Sequence, residues 1–171
     1  MALAHAVDRP VVVITGGAGF LGRALLAELA KDPGRSLLCP KEIRVLDTRA
    51  EKPEDLQGVT TLCGNVCDPD DLRRACAGVD LVLHLAALIS WGQHPVGAVR
   101  AVNAGGTRNV VAACREAGVQ ALVAVSSLDA IYTGRNIHKA DESSPYPECF
   151  QSEYCASKAE AEKVVLQANR D

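Results

Sequence analysis

The apolar residues of this chain fall into short continuous runs, separated by longer stretches in which they recur every three or four residues. Val11-Val12-Val13-Ile14-Thr15 is unbroken and β-branched, and predicts a strand buried on both faces. After a glycine cluster, Leu21 to Lys31 carries apolar residues at helical spacing until Asp32-Pro33-Gly34 breaks the pattern. Ile43 to Asp47 predicts a second strand and Val59 to Leu62 a third. Asp68-Pro69-Asp70-Asp71 reads as a helix start, with Asp68 as cap, Pro69 at the first helical position and the acids set against the helix dipole. Gly78 closes that helix. Leu81 to Ala86 predicts a fourth strand, Val96 to Ala117 a helix ending at Gly118, and Ala121 to Ser126 a fifth strand. A loop with Pro145 and Pro147 leads to a last helix over Ser152 to Asn169. Strands alternating with helices imply an α/β fold, a Rossmann-type doubly wound parallel sheet of about five strands covered on both faces.

The 171 residues correspond to one domain, and a chain of ~150 residues hides about two-thirds of its unfolded surface. Apolar residues at 48% and charged residues at 23% exclude a disordered or fibrous chain. A net charge of −3 gives no electrostatic pull toward nucleic acid or anionic lipid. Seven cysteines form no CxxC pair and no zinc-ligand set, so no metal is expected. Several sit in apolar runs as small hydrophobes, which suits free thiols in the reducing cytoplasm. Residues 1–9 have no signal-peptide pattern, and the most apolar stretch, Leu81 to Ile89, is far below the ~20 residues of a membrane span.

Residues 15–22 read TGGAGFLG, which places Gly16, Gly19 and Gly22 three apart between a strand and an amphipathic helix. This is the context in which a strand-to-helix turn holds a pyrophosphate. One glycine makes the turn, one lets the backbone approach the phosphates, and one lets the helix pack on the sheet. Asp47 ends the second strand, 25 residues after Gly22. A carboxylate there accepts hydrogen bonds from the adenosine ribose and repels a 2′-phosphate, which favours NAD over NADP, although Arg49 lies two residues on.

Tyr154 and Lys158 form a YxxxK, one helical turn apart. A lysine so placed stabilises tyrosinate, and Tyr154 could serve as base toward an alcohol or acid toward a ketone. Ser126-Ser127, 27 residues before Tyr154 counted from Ser127, ends the fifth strand at the carboxyl edge of the sheet, where open α/β folds place their chemistry.

Taken together, these motifs resemble the extended short-chain dehydrogenase/reductase family. The match runs through TGGAGFLG at 15–22, LD at 46–47, GNVCD at 64–68, HLAA at 84–87, VNAGGTRN at 102–109, SS at 126–127 and YCASK at 154–158. Within that family the chain is most similar to the 3β-hydroxysteroid dehydrogenase-like branch, through HLAALISWG, VNAGGTRNVVAAC, DESSPYP and VLQAN. The resemblance implies that Gly16, Gly19 and Gly22 form the NAD phosphate loop, with the Phe20 and Leu21 amides near the pyrophosphate and Asp47 on the adenine ribose. It implies adenine contacts from Asn65, where the family usually has Asp, and from the Val66 backbone. Ala86 and Ala87 would line the cofactor groove. Tyr154 would be the acid/base, Lys158 would hold the nicotinamide ribose and tune Tyr154, Ser127 would orient the substrate oxygen, and Asn103 would order the active-site backbone or water.

A small-molecule substrate, a 3β-hydroxysteroid or similar apolar alcohol, is the implied partner, with a wall of its pocket from Tyr146, Pro145 and Phe150. A homodimer through the last two helices is a further expectation. Family members typically continue for another ~150 residues, about the size of a second domain. Residues 1–171 are therefore expected to be an incomplete NAD(P)-binding Rossmann domain, a fragment or truncated form whose fifth strand is an open sheet edge. Two other readings stay open at this point. One is a non-catalytic dinucleotide-binding or interaction module, and the other a nucleotide-sugar epimerase or dehydratase of the same family.

Overall fold

The first strand, β1 (Val11–Thr15), is buried along its whole length, as a continuous β-branched run requires. The computed structural model describes residues 9–29, 38–49, 58–89, 93–95 and 97–169. The predicted helix end at Lys31, its Asp32-Pro33-Gly34 break, Val96, and the last three residues of HLAALISWG lie outside the described residues, as does the start of the chain through Asp8. After β1 come α1 (Phe20–Leu29), β2 (Glu42–Asp47), β3 (Val59–Cys63), α2 (Pro69–Cys76) and β4 (Leu81–His84). A helical run follows in three parts: α3 (Ala98–Arg100), a π-helical segment (Ala101–Gly105) and α4 (Gly106–Ala117). Then come β5 (Ala121–Ala124), a 3₁₀ turn (Leu128–Ala130) and α5 (Glu153–Ala168).

The five strands are parallel, in the order β3-β2-β1-β4-β5. The chain winds outward from β1 to β3, then crosses back beyond β1 to β4, so the order reverses between β1 and β4. That reversal opens a crevice at the carboxyl ends of those two strands.

Alternating side chains of β1 feed two cores. Val12 and Ile14 pack with Leu26 and Leu29 of α1 and with Ile43 and Val45 of β2. Val11 and Val13 pack on the other face with Leu72 and Cys76 of α2 and Val110 and Cys114 of α4. The caps follow the local sequence. Asp68 Oδ1 accepts the Asp70 amide at 2.9 Å with Pro69 at the helix start, Gly118 closes α4 at φ 67, and Ser152 Oγ accepts the Cys155 amide at 3.1 Å.

Three expectations change. The predicted helix over Val96 to Ala117 is not one α-helix, because the ladder shifts register at residues 101–105. There the Asn103 side chain leaves the helix to bond the Leu88 backbone, while Thr107 Oγ1 donates to Asn103 O at 2.6 Å. The fourth and fifth strands are also shorter than predicted. β4 stops at His84, after which the Ala86 amide turns to Thr15 Oγ1 at 3.3 Å; β5 stops at Ala124, and Ser126 turns toward α5. Finally, cover is unequal. β5 is the sheet edge, and Val123 and Val125 remain exposed.

Candidate cofactor and active site

The β1–α1 turn sits at the crevice and its geometry admits only glycine at key points. Gly16 has φ +73, and a Cβ on it would lie 2.8 Å from the Ala86 backbone. A Cβ on Gly22 would lie 2.5 Å from Gly17 Cα, so α1 can pack against the turn only without a side chain there. The first helical bond of α1 is Arg23 N–H to Gly19 O at 3.0 Å, which leaves the Phe20, Leu21 and Gly22 amides without intrahelical acceptors. No acidic side chain stands in this first turn to neutralise the positive helix end. Phe20 itself is 95% exposed, beside the mouth of the groove.

Asp47 ties this turn to β2. Its Oδ2 accepts the Ala18 amide at 3.0 Å and its Oδ1 the Arg49 amide at 3.0 Å, with Arg49 Nε 3.5 Å away. The carboxylate is nearly buried yet borders the groove, so it retains acceptor capacity toward a diol. A single groove of about 390 Å³ collects Gly16, Gly19, Phe20, Leu21, Gly22 and Asp47. Asn65, Val66, Ala86 and Ala87 border it too, so all ten residues assigned to the cofactor alone line one surface. A turn with amides facing out, a Cβ-free cradle and an adjacent carboxylate fit a dinucleotide pyrophosphate and ribose.

The remaining residues lie deeper. Lys158 is 7% exposed, and its Nζ donates to Val125 O at 2.7 Å. Burial lowers its pKa, while the Glu162 carboxylate pulls it back up. Lys158 borders a cavity of about 140 Å³ with His84, Asn103, Thr107, Ser126 and Glu162. Asn103 Oδ1 accepts the Leu88 amide at 2.7 Å, and its Nδ2 donates to Leu88 O at 3.0 Å and Ser157 Oγ at 2.9 Å. Ser157 Oγ donates in turn to Tyr154 O at 2.7 Å, so Asn103 links the groove wall to the backbone of the tyrosine turn. Tyr154 is half-buried on α5 and lines neither cavity. Ser127 caps the 3₁₀ turn, accepting the Asp129 amide at 3.2 Å and donating to Asp129 Oδ2 at 2.8 Å. The serine that shares the cavity with Lys158 is Ser126.

Three further residues were not singled out from the sequence. Glu162, one turn beyond Lys158, receives the hydroxyls of Ser126 and of Tyr146, the latter at 2.7 Å. His84 is buried between Thr15 and Thr107, and burial plus the Lys158 charge bring its pKa down to about 4. Asn109 Nδ2 donates to Val66 O at 3.1 Å and so steadies the outer part of the groove. The i+4 spacing of Glu162 from Lys158 was readable; the other two contacts join distant segments.

Residues 13–171 match the family model described as the 3-beta hydroxysteroid dehydrogenase/isomerase family. The sterol-4-alpha-carboxylate 3-dehydrogenase, decarboxylating, of Saccharomyces cerevisiae is 36% identical over 169 residues, covering 92% of this chain and 46% of that protein. The 3 beta-hydroxysteroid dehydrogenase type 7 of Mus musculus is 33% identical over 178 residues, covering 99% and 47%. Among solved structures, a short-chain dehydrogenase/reductase superfamily protein from Agrobacterium tumefaciens with bound NAD superposes with a TM-score of 0.77 at 32% identity, covering 94% of this chain and 45% of that one. The chain thus spans less than half the length of these relatives. The family match covers the glycine turn, Asp47 and the helix that carries Tyr154 and Lys158 together, and the chain belongs to the 3-beta hydroxysteroid dehydrogenase/isomerase family.

Proposed function

We propose that this chain is the cofactor-binding half of an NAD-dependent oxidoreductase acting on a CH–OH group, with a 3β-hydroxysteroid or a similar apolar alcohol as substrate. The observation that carries the reading is the single groove at the sheet's switch point, bordered by the glycine turn, Asp47, Asn65, Val66, Ala86 and Ala87. The substrate class rests on the family and on the sterol and steroid names of the relatives.

The amides at the start of α1 would bind the pyrophosphate, and Asp47 would accept the ribose hydroxyls and disfavour a 2′-phosphate, so NAD is preferred over NADP. When bound, the nicotinamide supplies the hydride acceptor. Tyr154 would take the alcohol proton at its phenolic oxygen. Lys158 favours the tyrosinate through its charge and holds the nicotinamide ribose. Ser127 orients the substrate oxygen, and Asn103 fixes the backbone that connects Leu88 to the Tyr154 turn. A homodimer through α4 and α5, and a cytoplasmic location, belong to the same reading; no described helix is long and apolar enough to cross a membrane.

The test is calorimetric titration with NAD, followed by hydroxysteroid oxidation read as NADH absorbance in the native protein and in Tyr154→Phe. NAD binding in both with turnover lost in Tyr154→Phe is the expected result. Turnover retained in that variant would sink the assignment of Tyr154. Binding without turnover in the native protein would favour a dinucleotide-binding module.

A further inference from the structure

α2 and α4 pack side by side on one face of the sheet, and each returns the chain to the start of the next parallel strand. Their carboxyl ends therefore stand at the same level, away from the cofactor groove. Cys76 is the last residue of α2, and its carbonyl accepts the Val79 amide at 3.2 Å. Cys114 lies in the last turn of α4, and its carbonyl accepts the Val119 amide at 2.9 Å. Both side chains enter the core that Val11 and Val13 share with Leu72 and Val110, and there the Cys114 thiol hydrogen-bonds to Cys76. The sulfurs of Cys63, Cys67 and Cys155 each pair instead with an oxygen, of Thr48, Ala101 and Ser152.

The surroundings suit thiol chemistry. Arg44 Nη1 donates to Ala75 O at 3.1 Å and to Ala77 O at 2.6 Å, the carbonyls on either side of Cys76. The bond from Cys114, working against burial and helped by the Arg44 charge, holds the Cys76 thiol below its ordinary range, while the same bond and then burial push Cys114 up. When the pair loses one proton, the other is shared between the two sulfurs. Cys76 is closed to solvent, whereas Cys114 borders a groove of about 500 Å³ with Val119, Leu122 and Leu166. A small reagent thus arrives at Cys114 first.

We propose that Cys76 and Cys114 form a reversible redox-modification site, at which hydrogen peroxide converts the two thiols to a disulfide that staples α2 to α4. Cys76 loses its proton to solvent, and the Cys114 proton crosses to it. The Cys114 thiolate attacks a peroxide oxygen, so that an S–O bond forms, the O–O bond breaks and hydroxide leaves to be protonated to water. The Cys76 sulfur then attacks the Cys114 sulfenic acid. The S–S bond forms, the S–O bond breaks, and the oxygen leaves with the Cys76 proton as a second water. The two thiols lose two electrons, and the peroxide is reduced to two waters. A low-molecular-weight thiol reverses the change by exchange.

The experiment treats the folded native chain with hydrogen peroxide, unfolds it in urea, alkylates the remaining thiols and maps the peptides by mass. The expected result is the loss of two alkylated thiols out of seven and a peptide pair joined through Cys76 and Cys114, both reversed by dithiothreitol. In Cys76→Ala the cross-link should vanish and leave a sulfenic acid on Cys114 that dimedone traps. Seven thiols still open to alkylation in a folded, peroxide-treated chain would overturn the proposal. So would cross-links confined to Cys39, Cys63, Cys67 and Cys149, or Cys114 oxidised in the native chain without joining Cys76. None of these outcomes bears on NAD binding.

Discussion

His84 donates from Nε2 to the hydroxyl of Thr107 across 2.9 Å, and the direction of that bond follows from its neighbours. Thr107 Oγ1 gives its own proton to Asn103 O at 2.6 Å, so toward His84 it accepts. Nδ1 of the ring then accepts from Thr15 Oγ1 at 2.7 Å, and Thr15 Oγ1 in turn accepts the Ala86 amide. One neutral tautomer satisfies every member of this buried chain, which links the central strand, the groove wall at Ala86 and the π-helical segment.

The first prediction concerns acid sensitivity. Burial and the nearby Lys158 charge hold the His84 pKa at about 4, against 6.5 for an exposed imidazole. Between these values the unfolded chain binds more protons than the folded one, so stability rises with pH there and falls as pH drops through the window. Urea unfolding at pH 7.5 and pH 5.0 should show a loss of about 2 kcal/mol at the lower pH from this residue. His84→Gln should be less stable at pH 7.5 yet lack that acid step. An unchanged acid step in the variant would place its origin elsewhere.

The second prediction contrasts two glycines. Gly22→Ala forces a methyl to 2.5 Å from Gly17 Cα and 2.6 Å from Gly16 O, backbone on both counts. It should cost about 1–3 kcal/mol, as overpacking does, and weaken dinucleotide binding because the turn must move. Gly105 lies in helical backbone with its nearest neighbour, Arg100 O, at 3.9 Å from a built Cβ. Gly105→Ala should therefore stabilise the fold by roughly 0.5–1 kcal/mol. Thermal unfolding of both variants reads the two signs side by side.

The features legible in the sequence are those whose cause is local. The glycine spacing, the Asp68-Pro69 start, the Gly118 stop and the carboxylate closing β2 each act within a turn of their own position, and each stands where the pattern placed it. What was not legible depends on partners far along the chain. Asn103 shifts a helix into π register because Leu88, 15 residues away, accepts and donates to its side chain. His84 reads as a strand residue, and only the meeting of β1 with α4 makes it a buried neutral link.

The third prediction tests the Asn103 linkage. Asn103→Ala leaves the Leu88 amide and Leu88 O without their partner, while Ser157 Oγ keeps its bond to Tyr154 O. Unsatisfied buried groups of this kind cost about 1–3 kcal/mol each, so a total loss of at least 2 kcal/mol is expected in urea unfolding. Asn103→Asp keeps the acceptor for the Leu88 amide but loses the donor to Leu88 O, and its loss should equal or exceed that of Asn103→Ala. Hydrogen exchange at the Leu88 amide should accelerate in Asn103→Ala. A protected Leu88 amide there would show that the bond does not hold the groove wall.

The fourth prediction follows from Glu162, which ties β5's end and the 133–151 loop to α5. Its carboxylate accepts from Tyr146 at 2.7 Å and from Ser126, while Lys163 Nζ lies 4.4 Å from the Tyr146 ring centre. Burial, and then the hydrogen bond to Glu162 and its charge, push the Tyr146 phenol up to about 12. The phenol is harder to ionise in the folded chain than in the unfolded one, so its contribution to stability is complete below pH 10 and is lost as pH rises toward 12. Alkaline titration followed by tyrosinate absorbance should show one of the three tyrosines ionising late. Glu162→Gln removes the charge but keeps an acceptor and the packing. In that variant the late phase should move to lower pH while remaining above the ordinary tyrosine range, since burial persists. A late phase that does not move would mean that the carboxylate exerts no pull on Tyr146 in solution, and the clamp between loop and helix would then rest on packing alone.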